Sequence, residues 1–439
     1  MKHIALSILV LIILVVSEID GQYNYNNYKY PDVTVKGLNI GLFLYGNGKS
    51  YTTLSRNKTY YLNYNFDFNY FRFVNNSHQQ KTDNMIFSNS LRKQSPSVFQ
   101  DEYVTFFVEK SQINRKYFHN DTGLFGLQGK FFEINHQFDV TKSFSRYDYF
   151  NASLILSGGI GIGRLHPVSE IFNAQFLMDD LMQQGLMHQK FSEEELYELA
   201  ALMAKIKNTR VFDYRRARKF QLKELNKWLQ TKGLTQDIDL FTTINDNWSS
   251  NLVNKRLEGS KISFNLNPWI DLTRTTNEKR DKYGLAAIIN FVSANNINQR
   301  FGSETMIDIN CNADLSDAKT SNSILLSGSH QLLFNPNSRT IFGLEPALTV
   351  AITDLKYYGF LLSLQGSCSY FINNQARISG NIIFSRNQRV GTQLLNFNPS
   401  INEFNNNFIT NASNSNLASF FDYENYSVRA NINFSYSFF

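Results

Sequence analysis

The residues whose types and spacing best suit chemistry form a basic row, Arg216, Lys219, Lys223 and Lys227, with Arg210, Arg215 and Arg218 nearby. Steps of three and four put all four cations on one face of a helix. Such a face suits an anionic partner, either phospholipid headgroups or another protein. The alternative is a solvated face whose cations pair in part with the acidic run Glu193, Glu194, Glu195 and Glu198. A second set, Lys261, Asp271, Glu304, Asp308, Glu345, Arg377 and Arg429, falls on the polar parity of stretches that alternate apolar and polar residues. Charges of both signs on one face of a sheet either line a selective passage or cross-link a closed one.

Material for catalysis is thin. His78, His119, His136, His166, His188 and His330 are scattered without metal-ligand spacing, and no serine elbow, phosphate loop or paired-histidine motif occurs. Ser329 and His330 are adjacent on an expected strand, where successive side chains face opposite ways. Neither an enzyme nor a bound cofactor or metal is therefore expected. Cys311 and Cys368 sit on the apolar parity of separate strands, as small buried or lipid-facing residues rather than a disulfide.

The elements that must position these residues begin with the last one. Tyr426, Val428, Ala430, Ile432, Phe434, Tyr436 and Phe438 alternate with Asn425, Ser427, Arg429, Asn431, Asn433, Ser435 and Ser437. A period of two makes one greasy and one wet face. The same alternation runs through Tyr60 to Tyr70 and returns from Ile262 to Phe384, about every twenty residues, as in up-and-down barrels. Strands are also expected at Lys36–Tyr45, Glu102–Lys110, Gly123–Gln137 and Tyr147–Ser157, whereas Asn75–Ser97 reads as a long polar loop. The expected total is 12 to 14 strands.

Between the strand groups the period changes. Gly158, Gly159, Gly161 and Gly163 break the alternation, and Pro167 opens a helical region. A first helix reaches Gln184 with Gly185 as its stop; Ser192 and Glu195 form a capping box for a second. A third spans Phe212 to Thr231, and a shorter one carries Ile238, Phe241 and Ile244 as its apolar stripe. Four such helices can cover each other as a small inserted domain.

The 439 residues open with Met1, Lys2 and His3, then an apolar run from Ile4 to Val16 before Ser17, Glu18 and Asp20. That pattern is expected to be a secretory signal peptide, 1–21, cleaved before Gln22 or just after Ser17, since a dozen apolar residues fall short of the roughly 20 a spanning helix needs. Residues 22–31 read as a loose segment. Aromatics make up 15% of the chain, with 38 Phe and 23 Tyr, and charged residues only 18%. Mean hydropathy is −0.32. This excludes a helical membrane protein but not a barrel, in which half of each strand is polar. A net charge of +6 is modest, so no nucleic-acid partner is expected.

Loop lengths suggest sidedness. The connection Asn387–Tyr423 is long and Asn-rich, as an external loop should be, while the turns at Asn373–Asn374, Asn335–Asn337 and Asn295–Asn298 are short, as periplasmic turns are. Alternating backward puts the helical insert on the periplasmic side.

The final stretch resembles the C-terminal signal of bacterial outer-membrane β-barrel proteins, with aromatics at every second position and a terminal aromatic; Phe439 departs by sitting one residue out of phase. The join Gly159–Pro167, then Phe212, Asp213, Arg215 and Arg216, ending at Ile244, Asp246, Asn247 and Trp248, resembles Bacteroidota-type outer-membrane barrels that carry a periplasmic helical insert. These resemblances imply an all-β transmembrane up-and-down antiparallel barrel with a small α-helical insert. The expected plan is a signal peptide over 1–21, barrel over 22–164 and 251–439, and a periplasmic insert over 165–250. The expected location is the cell outer membrane, with membrane lipid and the barrel assembly machinery, the latter reading the C-terminal strand, as partners. Two functions are open: a pore or transport channel, with its lumen clear or plugged, or an envelope anchor whose insert binds a periplasmic protein or other anionic partner. A soluble secreted all-β protein is disfavoured, because so many aromatic strands would need a second covering layer.

Overall fold

A computed structural model describes residues 23, 25, 28, 30–49, 59–95, 101–122, 128–144, 149–209, 214–235, 237–250, 256–275, 279–316, 321–337, 339–354, 357–371, 376–390 and 425–436. The expected signal peptide and most of the expected external loop Asn387–Tyr423 lie outside them, as does the turn at Asn373–Asn374. The strands are β1 (Val33–Lys49), β2 (Thr59–Asn75), β3 (Gln79–Ser95), β4 (Asp101–Thr122), β5 (Gln128–Phe144), β6 (Tyr149–Pro167) and β7 (Leu257–Thr275). They continue as β8 (Lys279–Asn296), β9 (Phe301–Asp314), β10 (Ser321–Asn337), β11 (Thr340–Thr353), β12 (Tyr357–Phe371), β13 (Ala376–Val390) and β14 (Asn425–Tyr436). Every pairing is antiparallel between chain neighbours, so the order across the single 14-stranded sheet is the order of the sequence.

Alternation decides the two faces. On β7, Lys261, Ser263, Asn265, Asn267 and Trp269 are buried, whereas Phe264, Leu266 and Ile270 are 42–46% exposed. Register carries the bare apolar face to the next strand: Phe264 lies opposite Ile289, and Ile270 opposite Tyr283. It continues through Ile307, Leu326, Phe342, Leu348, Leu362 and Ile382, all exposed. Apolar-out with polar-in inverts the arrangement of a water-soluble sheet.

Strand β3 corrects the expected long loop between Asn75 and Ser97. It lacks a clean apolar parity, so hydropathy hides it, but it pairs with β2 and β4 along its whole length. The loop reduces to residues 76–78, where the Asn76 Oδ1 accepts from the amides of His78 at 3.0 Å and Gln79 at 2.8 Å. Asn298 closes the β8–β9 turn in the same way, accepting from Arg300 and Phe301, each at 2.8 Å. Strands β4 and β5 likewise extend past the expected ends, to Thr122 and Phe144.

Between β6 and β7 stand α1 (Ser169–Gln183), α2 (Glu193–Asn208), α3 (Tyr214–Thr231) and α4 (Ile238–Ser250). The capping box at Ser192 and Glu195 is present, and Gly185 (φ 71°) ends α1. Ile171, Leu177, Leu181, Leu196, Leu199, Met203, Leu225 and Leu229 build one core. Two expectations need correction. Ile238 and Phe241 do not face this core, being 76% and 51% exposed; Leu240, Ile244 and Trp248 of α4 do. The N-terminal segment is not loose throughout, since Tyr25 and Tyr28 are buried in the helical core.

Candidate functional site

Antiparallel alternation places the start of β1, the turns 76–78 and 297–300, the β10–β11 turn and both ends of the helical insert at one end of the sheet. The polar face is most heavily built toward that end. Arg115 on β4 forms a buried ion pair with Glu133 on β5, whose carboxylate also accepts from Asn135. The Arg115 guanidinium lies 5.5 Å from the Phe131 ring centroid, and Phe131 lies 5.5 Å from Tyr117. Tyr117 donates to the Gln80 Oε1 at 2.8 Å, and Arg164 covers the Tyr117 ring at 4.5 Å while donating to the Asn76 and Ser77 carbonyls.

The glycines that interrupt the β6 alternation make room for this packing. A Cβ at Gly161 would fall into the Phe131 ring and the Ile262 carbonyl oxygen, and one at Gly159 into the Asn265 side chain. Only a strand without side chains on that face lets Phe131, fully buried, lie across it.

The predicted polar-face residues divide. Lys261 and Glu345 are buried, at 3% and 8% exposure, on the polar face. Asp308, half-buried, accepts from the Asn290 Nδ2 at 2.5 Å, and Asn290 sits opposite Ser263 in register. Glu304 and Glu345 share this face near one another, with Ser329 hydrogen-bonded to Glu345. His330, on the opposite face, meets Thr305 at 2.8 Å. Asp271 lies opposite Lys282 on β8 and Ser153 on β6, away from the Arg115 cluster. Arg377 and Arg429 hold register positions opposite Ser435 and Ile383; their side chains lie outside the described residues. Sequence reasoning missed Arg115, Glu133, Arg164 and Arg256. The expected strand ended at Lys110, before Arg115, although continued odd-parity counting through Glu109 and Ile113 reaches it.

The basic row of α3 is exposed at Arg216, Lys219, Lys223 and Lys227. Of the acidic run on α2, Glu195 and Glu198 meet a different cation, Lys232, at 3.0 Å and 3.4 Å. Leu222, Leu225 and Leu229 bury the other side of the helix, so the row points away from the insert's core.

Arg256, 4% exposed, joins insert to sheet. Its backbone clips the two ends of the insert together, accepting from the Val168 amide at 2.9 Å and donating to the Ser169 Oγ at 2.8 Å. Its guanidinium lies 4.3 Å over the Phe172 ring of α1. It donates to the Asn335 Oδ1 at 2.8 Å, and more loosely to the Arg300 carbonyl at 3.3 Å and to the Asn296 Oδ1 and Asn298 carbonyl, each at 3.4 Å. Burial pushes this guanidinium down to about 10. The same desolvation lowers Lys207, offset by Glu170 at 3.4 Å.

No protein-family model matches this chain, and no curated protein matches it at a significant level. Cys311 and Cys368 are free and exposed on the apolar face. Among the described residues no helix is long and apolar enough to cross a membrane, and no group of His, Cys, Asp or Glu side chains could hold a metal.

Proposed function

We propose that the chain is an outer-membrane β-barrel, exported by an N-terminal signal, that acts as a pore or transport channel. The observation that carries this reading is the inverted sheet. One long antiparallel sheet leaves Phe264, Leu285, Ile307, Leu344, Leu362 and Phe384 bare on one face and buries Arg115, Glu133, Lys261 and Glu345 on the other. Exposed aliphatic and aromatic side chains over so many neighbouring strands are costly in water and favourable in hydrocarbon, at about 25 cal/mol per Å². Burial of the polar face requires the sheet to curl around it. Pairing of its two edge strands would remove the remaining edges, an even strand number suits such closure, and strands of 12 to 22 residues exceed the roughly 9–11 needed to cross.

In this reading the insert end is periplasmic, and the charges of the polar face set which solutes pass. Membrane lipid contacts the apolar face, and the assembly machinery reads β14. The likeness to Bacteroidota-type barrels belongs to the same proposal and rests on the quoted sequence residues. No catalytic residue, cofactor or nucleic-acid partner is assigned. The test is planar-bilayer conductance of the refolded, heat-modifiable protein. Discrete unitary currents, with ion selectivity altered by Lys261→Glu, support a channel; a folded barrel that never conducts, with the insert present or with residues 165–250 removed, rejects it.

A second reading, an envelope anchor that presents the insert to an anionic periplasmic partner, is favoured by the exposed row Arg216, Lys219, Lys223 and Lys227. Charge reversal of that row would then abolish partner retention while leaving conductance untouched.

A further inference from the structure

The helical insert touches the sheet at widely separated strands. At the insert's exit Arg256, stacked on Phe172 of α1, reaches Asn296 at the end of β8, Asn298 and Arg300 between β8 and β9, and Asn335 near the end of β10. From α4, Asp246 pairs with Arg339 between β10 and β11 at 3.4 Å. On another side α2 lies against β1, and the Asn208 Nδ2 donates to the Tyr30 hydroxyl just before that strand, at 3.4 Å. With 14 strands paired in sequence order, and the edges closed as the channel reading requires, β1 and β8 stand as far apart as the ring allows. A body that contacts both crosses the opening instead of hanging from its rim.

The polar face changes character beneath this body. Leu165 of β6, Val292 and Ala294 of β8, with Leu257 and Met306 beside them, form an apolar cluster at the insert end, and Val292 is fully buried. An apolar patch on the polar face beneath a covering domain disfavours wetting and ion entry there.

We propose that the four-helix insert is a lid seated across the periplasmic mouth of the barrel, with Arg256 as the latch that holds it closed. This inference rests on the channel reading above and adds its regulation. The resting protein is closed at that end, and passage requires the insert to lift from the β8–β9 and β10–β11 turns, with Phe172 leaving the Arg256 guanidinium, while the backbone stem between Val168 and Arg256 stays attached.

The test uses the full-length refolded protein, wild type and Arg256→Ala, with two readouts: limited proteolysis of the insert and single-channel conductance. The expected result is at least tenfold faster cleavage within the insert and at least tenfold higher open probability in the variant. A cleavable bis-maleimide between cysteines placed by Asp246→Cys and Arg339→Cys, in a Cys311→Ser, Cys368→Ser background, is expected to shut the variant again until the linker is cut. Unchanged cleavage overturns Arg256 as the latch. Faster cleavage with equal currents in both proteins overturns the lid and leaves the channel standing. Faster cleavage with no current in either, from folded heat-modifiable protein, overturns the channel, and the lid with it.

Discussion

Replacing Gly161 by alanine tests how the polar face is packed. The added Cβ would lie 2.6 Å from the Ile262 carbonyl oxygen and 2.7 Å from the Phe131 Cε1, both inside contact distance. Phe131 is fully buried between Arg115 and Tyr117, so it cannot swing aside without breaking those contacts. Overpacking of this kind costs about 1–3 kcal/mol, and the lost flexibility of the unfolded chain returns about 0.4–1 kcal/mol, so the net loss is about 1–2 kcal/mol. Phe131→Ala alone should cost about 3–5 kcal/mol through cavity formation. In the double variant the methyl occupies space the ring vacated, so the costs should fall short of additivity by about 0.5–3 kcal/mol. Urea titration of protein refolded in lipid bilayers, read by gel mobility and tryptophan fluorescence, gives all four free energies. Neutrality of Gly161→Ala, or additivity within about 0.5 kcal/mol, would refute the idea that the glycine run exists to admit the Phe131 ring.

Glu133→Gln should destabilise the barrel by about 3–5 kcal/mol in the same titration, because it strands a buried Arg115 charge, whereas an apolar pair at both positions should recover much of the loss. Ser192→Ala removes the α2 capping box and should cost about 1 kcal/mol, read as faster amide exchange at the start of α2 without change in the sheet.

Much of the architecture was legible in the sequence because strand periodicity is local. Regular alternation from Ile262 to Phe384 announces which side chains face which way, and β7 to β13 follow it. The insert was legible for the same reason: Ser192 with Glu195, and Gly185, act within a few residues of themselves. The polar parity of Lys261, Asp308 and Glu345 required only counting, and their placement on the buried polar face follows from it. Strand β3 escaped because neither parity is apolar; its identity comes from hydrogen bonds to β2 and β4, which no local pattern encodes. The α4 stripe failed because period alone cannot say which face meets a core, and Leu240, not Ile238 or Phe241, is the side that α1 and α3 cover. Arg256 shows the same limit most sharply. Beside Lys255 after the helices it reads as an ordinary surface cation, and only the approach of Asn298 and Asn335 gives its guanidinium partners. Local periodicity set the strands, the helices and their faces, while long-range pairing and docking, which depend on residues dozens of positions apart, decided what those faces touch.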